Sequence, residues 1–214
     1  MKALIAAALL SLATAASAVP VGAVGDAFAV SFDGNVDTQP TPGLTASASF
    51  LVTGFDAAAG QLVLQVTLTN TTDPLLFKNA RVSALGFDVD ATLVGATSSG
   101  IFDSAVLGGQ FPNQFGPVDV CASGNPNNCS GGGNAGLNIG QSGVFTLVLS
   151  FAGPIASVDL GHFGVRYQSV NPLGVFVDDS GTGMGTVVPE PRALALLGVA
   201  GLALMGTRRR ARAS

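Results

Sequence analysis

One histidine, His162, and no glutamate between residues 19 and 187 leave little from which to build an acid–base site. A serine nucleophile would need that histidine as its base, and no Gly-x-Ser-x-Gly elbow presents one; Gly140-Gln141-Ser142-Gly143 falls short of it. His162 itself sits in Leu160-Gly-His-Phe-Gly-Val-Arg-Tyr, a stretch with strand character, where a half-exposed, hydrogen-bonded imidazole is the ordinary outcome. Twelve aspartates lie between Asp26 and Asp179, so some pair spaced for glycoside hydrolysis is inevitable and their number argues nothing. Asp88 and Asp90 stand two apart on one strand face, and Asp178-Asp179-Ser180-Gly181 is an oxygen-rich turn, which makes these four weak candidates for calcium. They lack the alternating ligands of an EF-hand loop, and aspartate ends strands and starts turns for reasons of its own. Gly181-Thr-Gly183-Met-Gly185 imitates a phosphate loop, yet no helix follows to supply N–H groups and a dipole. The residues call for no cofactor and no catalytic group.

Composition excludes other classes. Residues 19–187 hold three cations (Lys78, Arg81 and Arg166) against twelve carboxylates, a formal charge of −9 that six basic residues in the two ends conceal. So acidic a segment cannot neutralise phosphates, so nucleic acid is excluded as a partner. An aromatic platform for sugars is short of material, with no tryptophan and one tyrosine, Tyr167. The thirteen phenylalanines fall mostly at core positions of the strand pattern.

The elements that must carry these residues read as β. In 61–70, Leu62, Leu64, Val66 and Leu68 alternate with Gln65, Thr67 and Thr69; in 144–151, Phe145, Leu147, Leu149 and Phe151 alternate with Thr146, Val148 and Ser150. Period two marks a half-buried strand. Further strands are expected at 27–33, 44–55, 81–90, 92–97, 156–159, 162–169 and 174–177, with turns at 38–43 and 57–61. Residues 113–140, rich in Gly and Asn, read as a long surface loop. Many short strands without helical spacing predict an all-β fold, an antiparallel β-sandwich of jelly-roll or immunoglobulin-like type over 19–177, with a closed barrel as runner-up. The Gly-, Ser- and Thr-rich tract 178–187 reads as a flexible linker.

The ends are different in kind. Lys2, a small apolar run and Ala16-Ser17-Ala18 have the layout of a secretory signal peptide over 1–18, cleaved after Ala18. In an exported chain Cys121 and Cys129, closing a turn-forming loop, read as a disulfide; a metal would need more ligands than one histidine supplies. At the other end stand Val188, Pro189, Glu190 and Pro191, then an apolar segment 193–206, then Arg208, Arg209, Arg210 and Arg212. Fourteen apolar residues reach about 21 Å as a helix, short of a hydrocarbon core of about 30 Å. The flanking arginines can snorkel, and their cluster suits a cytoplasmic tail, so a short transmembrane helix in a thinned bilayer fits best.

This tripartite order over 188–214 resembles the PEP-CTERM sorting signal of Gram-negative bacteria, a substrate of exosortase, a membrane transpeptidase-like protease. The resemblance implies that Pro189-Glu190-Pro191 is the recognition motif, 193–206 a transient membrane anchor and the arginines a cytoplasmic stop. It also implies a surface location and association with exopolysaccharide or biofilm matrix. More loosely, 81–90 and 162–170 resemble phrases in the ectodomains of such proteins. The expectation is an exported, non-enzymatic surface or matrix protein processed by exosortase. An adhesin or carbohydrate-binding module and a secreted Asp-dependent polysaccharide hydrolase are the alternatives.

Overall fold

A computed structural model describes residues 18–124, 129–130, 135–174 and 179–189, and every regular element among them is a β-strand. In chain order these are β1 (Val19–Val21), β2 (Ala27–Val36), β3 (Gln39–Asp56), β4 (Gln61–Asn70), β5 (Phe77–Val89) and β6 (Leu93–Gly100). There follow β7 (Ser104–Phe111), β8 (Gly116–Ser123), β9 (Leu137–Asn138), β10 (Ser142–Phe151), β11 (Val158–Pro172) and β12 (Asp179–Val188). All pairings are antiparallel.

The alternating segments behave as their period demands. Leu62, Leu64, Val66 and Leu68 of β4 are fully buried, and register sets them beside Leu149, Leu147, Phe145 and Gly143 of β10. On the other side of β4, Phe50 and Val52 of β3 stand opposite Val66 and Leu64. β2 brings Phe28 opposite Phe50, and the two rings stack at 4.6 Å between centroids. Inward side chains at every second position therefore form continuous rows across β2, β3, β4 and β10, burying apolar area at about 25 cal/mol per Å².

Ten strands make one hydrogen-bonded path, β6-β10-β4-β3-β2-β12-β11-β5-β8-β7, with β1 beside β11 and β9 beside β5. Its two end strands, β6 and β7, are consecutive in the chain, so the sheet curls until it nearly closes into a barrel. Phe102, in the short link between them, is fully buried and packs 5.2 Å from Phe145, while Ser98 Oγ donates to the Phe102 carbonyl at 2.7 Å. The single curled sheet, in place of two separate ones, follows from one strand. Residues 179–187, expected as part of a linker, form β12 and continue to Val188; β12 lies between β2 and β11 and joins the two halves.

Other expectations change for physical reasons. The stretch 113–140 is not one loop: β8 runs through Gly116–Ser123 and β9 through Leu137–Asn138. Segments expected as two strands, 156–159 and 162–169, merge into the single long β11, which begins only at Val158 and is interrupted by an irregularity in its pairing with β5 between Gly161 and Gly164. The turn expected at 38–43 shrinks to a tight hairpin in which Asp37 and Thr38 both have positive φ and β3 starts at Gln39. Of the strand expected at 174–177, Gly174 lies in a turn and the rest falls outside the described residues.

Candidate functional site

The glycines of β12 explain how a tract without large side chains can be central. A Cβ on Gly183 would lie 2.8 Å from Val165 Cγ2 and 2.9 Å from Tyr167 Cε2; one on Gly185 would lie 2.7 Å from Phe163 Cβ and from Val30 Cγ1. Both glycines thus leave room for bulky neighbours to pack directly on the β12 backbone. The core is filled from β11 and β2, and β12 contributes its ladder. Each glycine costs about 0.5–1 kcal/mol of chain entropy relative to alanine, which tertiary packing offsets here.

β12 ends at Val188, opposite Ala29 of β2, and Pro189 follows without strand structure. Beyond Met184 it is paired with β2 alone, because the lane beside β11 passes to β1: Val19, Pro20 and Val21 stand opposite Leu160, Asp159 and Val158. Ala18 lies over Gly161. The beginning and the end of the barrel therefore share one neighbourhood. Two shallow clefts flank it. One of about 440 Å³ is lined by Ala27, Ala29, Leu51, Gln65, Val188 and Pro189. The other, about 530 Å³, lies between β1 and the start of β2. Of the residues expected to form a sorting motif, Val188 and Pro189 are placed here; Glu190, Pro191, the apolar segment, Arg208, Arg209, Arg210, Arg212 and residues 1–17 lie outside the described residues.

At the same end, aspartates hold strands in register. Asp88 Oδ1 accepts the Asp119 N–H at 3.1 Å, Asp119 Oδ2 accepts the Val89 N–H at 2.9 Å, and Asp90 Oδ1 accepts the Asp159 N–H at 2.8 Å. Asp88 and Asp90 thus serve different neighbours. Among the described residues no three His, Cys, Asp or Glu side chains are grouped to hold a metal. Asp179 opens β12 opposite Val170, and Asp178 falls outside the described residues.

His162 takes a positive φ of 47°, a region that costs a non-glycine residue about 1–3 kcal/mol. Two contacts hold it there. Its Nδ1 lies 2.9 Å from Asp88 Oδ2, and its ring stacks on Phe115 at 4.3 Å with 1° between planes. Asp88 and His162 are about 40% exposed (41% and 38%), so the pair faces water. The arrangement orients an imidazole without presenting a nucleophile to it, since the described polar contacts of His162 are with Asp88 alone.

Phe115 belongs to a second, outer cluster that composition did not announce. The tip of the β7–β8 hairpin folds over the outer face of the sheet. Phe111 packs over Gly86, and Phe115 over Gly164, with Ala84, Val118 and the disulfide Cys121–Cys129 completing the cluster. The disulfide is as expected, its Cα atoms 5.9 Å apart. Beside this cluster lies Arg166, 6% exposed, donating to the Gly181 carbonyl at 2.8 Å, with Nε unpaired; burial pulls its pKa down. On the inner face Tyr167 is fully buried with no partner for its hydroxyl. Desolvation first, then the Asp33 carboxylate, raise its pKa well above the usual phenol range.

No protein-family model, curated protein or solved structure matches the chain.

Proposed function

We propose that this chain is an exported, non-enzymatic surface or matrix protein whose barrel is delivered by its ends. The signal peptide 1–18 directs export, and the segment 188–214 is the exosortase signal, with its apolar part crossing the membrane as a short helix before cleavage. The observation that carries this reading is the order of the tail: Val188-Pro189-Glu190-Pro191, an apolar stretch, then four arginines within five residues, 208–212. It is supported by where the barrel stops. The last strand among the described residues ends at Val188, the first residue of the motif. The single imidazole is engaged by a carboxylate and a phenyl ring in an exposed position, which favours a structural over a catalytic part for it. Exopolysaccharide is the proposed environment, through the resemblance of the tail.

The test is mass-spectrometric mapping of the mature termini in strains with and without exosortase. The expected product begins at Val19 and lacks Arg212 only where the protease is present. A surface-located product that retains Arg212 in both strains would sink the proposal.

A further inference from the structure

The outer face of β2, β3 and β4 carries small and polar side chains in register. Val188, Ala29, Ser49 and Thr67 stand abreast on β12, β2, β3 and β4, and Ala27, Leu51 and Gln65 form the next row. Neighbouring strands lie about 4.8 Å apart, so the walls on β12 and β3 stand about 10 Å from each other across β2. Ala27 and Ala29 make the floor between them. Val188 (45% exposed) and Pro189 rise on one side, and Leu51 (38% exposed) on the other, with Gln65 behind it on β4. This trough is the cleft of about 440 Å³ described above.

Its lining has a definite chemistry. No charged residue takes part in it. The Ser49 and Thr67 hydroxyls and the Gln65 amide can each both donate and accept. Nearby, hydroxyls satisfy one another: Thr69 Oγ1 donates to Ser142 Oγ and Thr71 Oγ1 to Thr45 Oγ1, both at 2.9 Å. The side chains of Ser49, Gln65 and Thr67 have no such partner among the described residues. A fitting ligand therefore presents groups that donate and accept at once, together with C–H surface for Leu51, Val188 and Pro189. Hydroxylated rings do both. An anion finds no cation in the cleft and approaches a segment, 19–187, of formal charge −9. A second copy of the chain carries the same charge and is repelled in the same way.

We propose that this cleft binds a neutral polysaccharide, its sugar rings laid against Leu51, Val188 and Pro189 and its hydroxyls bonded to Gln65, Thr67 and Ser49. The inference deepens the matrix reading above and rests on it for the source of the glycan. Aliphatic side chains and a proline take the place of the missing aromatic platform.

The test is affinity electrophoresis of the full chain, purified in a zwitterionic detergent from a strain lacking exosortase. Native gels contain either the neutral or the acidic fraction of the producing strain's exopolysaccharide, separated by anion exchange. The neutral fraction should retard the chain, and the acidic fraction should not. Ala29→Leu, which fills the floor, should abolish the retardation. Gln65→Ala removes only exposed atoms and should weaken binding about fivefold, the loss of one hydrogen bond; it judges the cleft independently of the larger change. Thr97→Ala, exposed on β6 at the far edge of the same face, should bind as the wild type does. Retardation by the acidic fraction, by neither fraction, or equally in the wild type and both cleft variants overturns the proposal. So does a dimer in light scattering that Ala29→Leu dissociates, which gives the cleft to a second copy. If wild-type chains end identically with and without exosortase, the sorting reading fails separately, and the retardation still judges the cleft.

Discussion

The two flanks of β12 solve the same packing problem by opposite means. On one side, β2, β3, β4 and β10 each bury one face and wet the other, filling the interior with leucine, valine and phenylalanine at every second position. On the other, β5 and β11 are buried over much of both faces, with aromatic groups laid on glycine backbones: Phe111 on Gly86, Phe115 on Gly164, Tyr167 on Gly183. The first flank is sensitive to what is removed from it, the second to what is added. A half-buried strand needs only the right parity, whereas a doubly buried one needs a particular small residue under each large one.

The comparison can be broken by substitution and denaturant melts. Leu64→Ala, in the one-faced flank, should cost about 3 kcal/mol through lost transfer energy and a cavity. Replacing both Cys121 and Cys129 by serine should cost about 2–3 kcal/mol, through the closed-loop entropy of the unfolded chain, and should loosen the outer cluster around Phe115 before the inner core. Gly183→Ala, which removes nothing, should still cost about 2 kcal/mol, because its methyl meets Val165 and Tyr167 inside contact distance. A Gly183→Ala that melts like the wild type would erase the distinction between the flanks.

Tyr167→Phe should go the other way, gaining about 1 kcal/mol by removing a buried hydroxyl that has no partner. It also carries a pH signature. Because the folded pKa of Tyr167 is raised, the folded state holds its proton where the unfolded state loses it. Stability is then level below the ordinary phenol pKa of about 10 and falls as pH rises above that value. The phenylalanine variant should lose that part of the alkaline decline, which melts between pH 8 and 11 would read. Smallest of all, added calcium should leave the melting temperature unchanged, since Asp88 and Asp90 are occupied with the N–H groups of Asp119 and Asp159. A rise of several degrees would restore the cation site.

What the sequence made legible follows the same division. Strands 61–70 and 144–151 are readable because one face is water and the pattern records it; the structure places β4 at Gln61–Asn70 and β10 at Ser142–Phe151. β12 was hidden because Gly181, Gly183 and Gly185 leave its inner face bare of side chains up to Val187, so hydrophobic periodicity has little to register. The glycines at alternate positions were themselves the available signal: a strand written in absences. The stretch 113–140 misled because its glycines and asparagines mark bends at the hairpin tip and beyond, while Val118, Val120 and Ala122 between them pair with β7. The disulfide was legible from two cysteines closing a turn-forming loop. Arg166 and the His162–Phe115 stack depend on the hairpin folding back over the sheet, a contact between distant segments that no local pattern encodes.

The position of β12 bears on the order in which the molecule can assemble. A chain made from its amino end produces β2 long before Val188 and β11 shortly before it, and β12 covers an edge of each, beside β11 together with β1. Until then the two flanks are separate sheets with facing, unsatisfied borders, and a neighbouring nascent chain can offer the same complement. Completion waits for β12, and a chain lacking the ten residues before Pro189 would lose the seam between its halves, leaving two sheets that are each other's nearest route to aggregation.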